Sequence, residues 1–194
     1  MDLSKGASYF ARAEFIESYA TKVFRDLQRD NLLRGRERDK TLFVDRLTAH
    51  YTEINALHPF REGNGRATQA FLTQLSLEAG YTLRFNNIGR EAWNRAAAAS
   101  FVDQGPMREV FDQIASPNRA IAFDTQPERE AVAKFPELGR QFRRLEAARR
   151  ATDAGQSSPA AEITRLRDHL SRELHAGKWA NPDDPEPEIS GLRD

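Results

Sequence analysis

Nine consecutive residues, His58-Pro59-Phe60-Arg61-Glu62-Gly63-Asn64-Gly65-Arg66, bring together a base, an anion-binding turn, a carboxylate and a permanently charged cation. An imidazole with an unperturbed pKa of about 6.5 is largely neutral at cellular pH and can accept a proton from a hydroxyl nucleophile. Glycine and asparagine tolerate positive φ, so the backbone N–H groups of Gly63, Asn64 and Gly65 can converge on an anion. Glu62 is a hard oxygen ligand of the kind Mg²⁺ takes beside nucleotide phosphates, and the forked guanidinium of Arg66 suits phosphate oxygens. These groups together fit a nucleotide phosphate held next to a proton acceptor. The plainer alternative is a glycine-containing turn between two helices, with His58 and Arg66 as surface polar groups.

Two helices must position this string. Phe43, Leu47, Tyr51 and Ile54 recur at helical spacing over about 39–57 and predict a helix that delivers the chain to His58, where Pro59 ends it. Phe71, Leu72, Leu75 and Ala79 predict a second helix over 66–79, stopped by Gly80, whose N-terminus opens on the glycine turn. Upstream, Phe15, Ile16, Tyr19, Val23, Phe24 and Leu27 form an apolar stripe over about 12–30 that reads as core. Downstream, helices over about 90–103 and 106–115 place Trp93, Met107, Val110, Phe111 and Ile114 as core. His50 reads as a structural or surface histidine, and Trp93 as packing rather than base stacking.

The string is similar to the Fic signature HxFx[DE]GNGRxxR at every defined position except the last, where Gln69 replaces arginine. The segments SKGASYFARAEFIE, DKTLFVDRLTAHYTEINALHPFREGNGR and EAGYTLRFNNIGREAWNRA extend the likeness over about residues 1–116 to the Fic domains of bacterial toxins and secreted effectors. The resemblance implies an all-α fold, a Fic-type helical bundle with a small β-hairpin flap, here incomplete at its first strand, and a helical C-terminal extension. It also implies a protein adenylyltransferase moving AMP from Mg-ATP to a hydroxyl of a target protein. His58 is then the catalytic base, Glu62 the Mg²⁺ ligand, and Gly63, Asn64, Gly65, Arg66 and Gln69 the nucleotide-binding set, with Phe60 buried as an anchor. Leu3, Ser4 and Lys5 fall in the flap that docks the target. Glutamine at 69 exchanges a charge-assisted phosphate contact for a neutral one, which slows AMP transfer, fits another donor group, or marks a domain kept as a binding module.

The expected partners are a protein with a Ser, Thr or Tyr hydroxyl and a separate small antitoxin carrying an inhibitory helix. The family's inhibitory pattern [ST]xxxE[GN] has only a near match here, SPAAEI from Ser158, which fails at Ile163. A formal charge of zero, from 29 basic and 29 acidic residues, recommends neither nucleic acid nor membrane as a partner. With no cysteine, disulfides and thiolate metal sites are excluded. No signal-like or membrane-spanning run occurs, so the expected location is the bacterial cytoplasm, or another cell reached through a secretion system.

Beyond Ser116-Pro117 the composition shifts, and three domains are expected: 1–116, a helical extension over 117–176, and a Pro-rich acidic tail over 177–194 that reads as disordered. The extension carries an arginine-rich helix around Leu138, Phe142 and Leu145, a TDAGQSSPA linker, and an amphipathic helix over about 159–176 with Ile163, Leu166, Leu170 and Leu174 in register.

Overall fold

A computed structural model describes residues 4–5, 8–9, 11–35, 39–153 and 160–178 of the 194-residue chain. They divide into two compact units, Met1–Ala120 and Ile121–Asp194. In the first, β1 (Ser4–Lys5) and β2 (Ser8–Tyr9) precede α1 (Ile16–Arg29), α2 (Lys40–Leu57), α3 (Asn64–Glu78), β3 (Tyr81–Leu83), α4 (Arg90–Ala99), α5 (Gly105–Ile114) and β4 (Ala115–Pro117). The architecture is the expected helical bundle with a small hairpin.

α2 is the central element, packed against α1 on one side and α5 on another. Its start is fixed by Asp39, whose carboxylate accepts the Leu42 N–H at 2.8 Å and so satisfies one of the helix's orphan donors. Phe43, Leu47, Tyr51 and Ile54 are all buried, as their spacing requires. Phe43 stacks on Tyr81 with ring centroids 3.8 Å apart, and Tyr51 meets Trp93 and Phe111 edge-on at 5.6 and 5.4 Å. Trp93 is therefore a packing residue. Burial also pushes the Tyr51 phenol well above its ordinary pKa.

Three features depart from the sequence reading. Residues 1–9 were expected to supply one unpartnered flap strand, yet β1 and β2 pair with each other antiparallel, Ser4 opposite Tyr9 and Lys5 opposite Ser8. Leu3 lies outside the described residues. The apolar stripe of 12–30 is core only at Val23 and Leu27; Phe15, in the 3-10 turn before α1, and Phe24 are 55% and 41% exposed. Phe24 leans its ring edge on Phe71 at 5.8 Å. Finally, β3 and β4 form a second antiparallel pair, Tyr81 opposite Pro117 through Leu83 opposite Ala115, where the sequence reading gave no strand.

A reversal between α1 and α2 carries backbone strain. Asn31, Leu32 and Leu33 all have left-handed φ values, 53°, 52° and 62°. A left-handed residue with a side chain costs roughly 1–2 kcal/mol, so this turn is held by its surroundings. Leu33 is fully buried, and the preceding Asp30 accepts from Arg46 Nε at 2.8 Å and lies 2.9 Å from His50 Nε2. His50 is thus a structural residue clasping the turn to α2.

In the second unit the first residues complete α6 (Asn118–Thr125), followed by α7 (Glu128–Lys134), α8 (Gly139–Asp153) and α9 (Ala160–His175). Phe123, Ala131, Leu138, Phe142, Leu145, Leu170 and Leu174 form its buried set, while Ile163 and Leu166 are half-buried. The centroids of the Phe123 and Phe142 rings lie 5.0 Å apart. Most of the expected linker, residues 154–159, and the tail from 179 onward lie outside the described residues.

Candidate active site

α2 and α3 meet at the signature string, and the loop between them is built from the backbone outward. α2 ends at His58, which adopts a left-handed conformation, φ 39° and ψ 54°. Pro59 disfavours the right-handed helical region for the residue before it, so the helix cannot continue through this position. The loop closes at Gly63, φ 83° and ψ 2°, directly before α3. Glycine reaches that conformation without a Cβ penalty. The first helical bond of the α3 start runs from Ala67 N–H to Gly63 O at 2.9 Å, which leaves the N–H groups of Asn64, Gly65 and Arg66 pointing out of the helix end.

Asn64 holds the loop together. Its Oδ1 accepts the Phe60 N–H at 2.9 Å and its Nδ2 donates to the Phe60 carbonyl, with the side chain almost wholly buried. The Asn64 side chain is thus engaged in bracing the loop, and its backbone N–H is among those at the α3 start. The same pair of bonds corrects the expectation for Phe60. Clamped at both its N–H and its carbonyl, Phe60 needs no apolar anchoring, and its ring is 53% exposed. Asparagine's habit of bonding nearby backbone was the available signal.

Gly65 also differs from expectation. It sits inside the first turn of α3 without a positive φ. A Cβ built on Gly65 would meet no atom within 4 Å, so its lack of a side chain leaves open space beside the outward-pointing N–H groups. A Cβ on Gly63 would lie 3.6 Å from Arg66 Nη2, which places the guanidinium back over the loop and beside the helix end. Arg66 and Glu62 are exposed and make no ion pair among the described residues. Gln69 lies one helical turn on, half-buried, with its side-chain amide unbonded among the described residues; its carbonyl accepts from Thr73 Oγ1 at 2.8 Å. Among the described residues no three His, Asp or Glu side chains cluster as a metal cage. Glu62 alone, with phosphate and water oxygens completing the shell, fits the way Mg²⁺ is usually held in nucleotide sites.

Two contacts bring neighbouring segments to the end of α2. Ala11 N–H donates to Ala56 O at 3.0 Å, so the chain leaving β2 runs past the last turn before His58. Tyr19 donates to Glu53 Oε2 at 2.8 Å, and burial together with that carboxylate pushes the phenol up to about 12. Neither contact was legible in the sequence. Trp93 is in the core and Asn94 is exposed.

A helical bundle with a glycine-and-asparagine loop opening onto a helix N-terminus, and a histidine closing the helix before it, has known counterparts. Residues 1–76 match the Fic/DOC family. A probable protein adenylyltransferase Fic of Escherichia coli K12 is 37% identical over 117 residues, covering 60% of this chain and 58% of that protein. Protein adenylyltransferase VbhT of Bartonella schoenbuchensis is 41% identical over 101 residues, 52% of this chain and 21% of VbhT. The crystal structure of BepC, a VirB-translocated effector of Bartonella tribocorum with bound AMPPNP, superposes with a TM-score of 0.56 at 25% identity, over 60% of this chain and 56% of BepC. The N-terminal unit is thus similar to the Fic/DOC family over residues 1–76. The chain spans less than two thirds of the length of these relatives.

Proposed function

We propose that the N-terminal unit is a protein adenylyltransferase, transferring AMP from Mg-ATP to a Ser, Thr or Tyr hydroxyl of another protein. The observation that carries this reading is the open space at Gly65 beside the first N–H groups of α3, with Arg66 folded back over Gly63. Phosphate oxygens seated there meet backbone donors, the positive end of the helix dipole and one guanidinium. Glu62 would hold Mg²⁺, which when bound would supply neutralisation of phosphate charge. His58 accepts the proton of the target hydroxyl as its oxygen attacks the α-phosphorus, and the bond from that phosphorus to the bridging oxygen breaks to release pyrophosphate. Such a reaction asks the protein chiefly for positioning and charge stabilisation. The hairpin of β1 and β2, with Ser4 and Lys5 on its first strand, is the proposed edge that registers the target chain, a reading supported by the Ala11 N–H bond to the Ala56 carbonyl just after β2.

Gln69 favours a second reading, a different phosphate-containing group as the one transferred. Its neutral amide occupies the position where the signature has a second arginine. Proteins of the bacterial cytoplasm, or of a cell reached by secretion, are the targets in either case, and a small helical antitoxin is the proposed regulator. No helix among the described residues is long and apolar enough to cross a membrane. Incubation with lysate and either α- or γ-labelled ATP, beside His58→Ala, separates the readings. Label from the α position alone that requires His58 supports AMP transfer; label from the γ position alone supports the altered donor chemistry. No label from any nucleotide, ATP or another, would favour a domain kept as a binding module.

A further inference from the structure

The second unit, which the Fic/DOC match over residues 1–76 does not reach, holds a cavity of about 180 Å³. A cavity of about 150 Å³ takes a benzene-sized molecule, so this one has room for a single small molecule and not for a nucleotide. Pro127, Phe142 and Leu145 wall it with apolar surface. Charged side chains from three helices also line it: Glu128 from α7, Arg149 from α8 and Arg167 from α9. Their charges are of both signs, yet neither Glu128 nor Arg149 has an ion-pair or hydrogen-bond partner among the described residues. Arg167 is half-buried and has no carboxylate partner there either. Its Nη2 donates to the carbonyl of the fully buried Phe123 at 3.1 Å, and its guanidinium carbon lies 5.4 Å from the Phe123 ring centroid. Those contacts fix its direction and leave most of its N–H donors unspent.

Charges that line one small cavity without pairing with each other remain available to an occupant. A half-buried guanidinium without a counter-charge is costly to keep, and its fork suits a carboxylate. A plain carboxylate would, however, also meet Glu128, whereas an occupant that carries an ammonium as well turns that repulsion into attraction. Gln126 lines the cavity too, and its amide makes no hydrogen bond among the described residues, Oε1 being buried without a donor. It can therefore turn to an ammonium without breaking a bond. The apolar wall calls for a short hydrocarbon chain. We propose that this cavity binds a free aliphatic α-amino acid of about the size of leucine, its carboxylate on Arg149 and Arg167, its ammonium on Glu128 and the Gln126 amide, and its side chain against Phe142 and Leu145. A peptide does not fit the same groups, because no residue within a peptide chain carries both main-chain charges.

Calorimetric titration of the full-length protein with L-leucine tests this, and saturable binding is expected. Leucinamide, which lacks the carboxylate, and 4-methylpentanoate, which lacks the ammonium, should each bind about ten- to a hundredfold more weakly, as loss of a charge-assisted bond requires. Arg149→Ala should weaken leucine about two- to fivefold, the range of an exposed ion pair, and Arg167→Gln about tenfold. Glu128→Gln should weaken leucine while leaving 4-methylpentanoate unchanged or tighter. Arg149 and Glu128 are exposed, so their variants report even if Arg167→Gln misfolds. No binding of leucine, isoleucine, valine or methionine at up to about 10 mM, well past a millimolar affinity, overturns the proposal. So does leucine binding that neither Arg149→Ala nor Glu128→Gln changes. If 4-methylpentanoate or inorganic phosphate binds as tightly as leucine in an Arg149-dependent way, the cavity is a plain anion site and the proposal fails.

Discussion

Gly63 and Gly65 lie two residues apart, yet alanine at each should do opposite things to the fold. Gly63 has φ 83°, and a non-glycine residue held there costs roughly 1–2 kcal/mol; its Cβ would sit 3.6 Å from Arg66 Nη2, an ordinary contact, so the cost is conformational rather than steric. Gly65 is helical, and nothing lies within 4 Å of an added Cβ. Alanine is favoured over glycine by up to about 1 kcal/mol within a helix, and by about half that in a first turn, so Gly65→Ala should hold or slightly raise stability. Urea unfolding should therefore separate the two variants by about 2 kcal/mol. Binding should reverse the ranking. The methyl group at 65 fills the space through which a phosphate oxygen must come within about 2.9 Å of the α3 N–H groups, and losing one charge-assisted hydrogen bond weakens a ligand roughly tenfold to a hundredfold. Calorimetric titration with a non-hydrolysable ATP analogue and Mg²⁺ measures this on the folded variant. If Gly65→Ala binds the analogue as tightly as the parent protein, the anion does not sit at this helix end and the proposed chemistry loses its seat.

Gln69→Arg should raise AMP transfer measured with α-labelled ATP, by about tenfold if one charged phosphate contact is regained; a fall in turnover would mark the glutamine as adapted to another donor. Asp30→Ala strands a buried His50 and an Arg46 at the strained turn, and should lower unfolding stability in urea by about 2–3 kcal/mol with the m-value unchanged. The Tyr19 phenol is raised above its unfolded value of 10 to about 12, so its bond to Glu53 contributes fully below pH 10 and is lost as pH rises towards 12. Stability of the parent protein should accordingly fall towards that of Tyr19→Phe over this window in paired melts, and parallel curves throughout would remove the bond from the account.

Much of the bundle was legible because α2 and α3 keep a helical apolar period that no local feature contradicts: Phe43, Leu47, Tyr51 and Ile54 are all buried, and so are Leu72, Leu75 and Ala79. The period on α1 was equally regular, but burial depends on what faces a stripe, and Phe15 and Phe24 stay exposed. The left-handed turn at Asn31–Leu33 was invisible for a related reason. It is imposed by Leu33 burial and by Asp30 reaching His50 and Arg46, contacts 16 and 20 residues away that no local window contains. The short strands β3 and β4 escaped because their pairing joins residues more than thirty positions apart. At the loop, residue types named the chemistry, while the assignment of work among them needed coordinates: Asn64 proved to be the brace and Phe60 the exposed neighbour.

The placement of His58 follows from that brace. Had α2 continued one residue further, position 58 would fall four residues after Ile54, on the stripe that Tyr51 and Ile54 bury, and the imidazole would point towards the core. Pro59 blocks that continuation, and the left-handed backbone at 58 turns the residue off the stripe, where it is half-buried. A histidine held in this region costs on the order of 1 kcal/mol or more, which the loop must offset. The offset is local: Asn64 grips Phe60 at both polar backbone atoms, and Gly63 supplies the second left-handed turn without strain. Hence the two groups any phosphoryl chemistry here would need, a proton acceptor and a row of outward N–H donors, flank a loop shaped by Pro59, Gly63 and the Asn64 side chain's grip on Phe60.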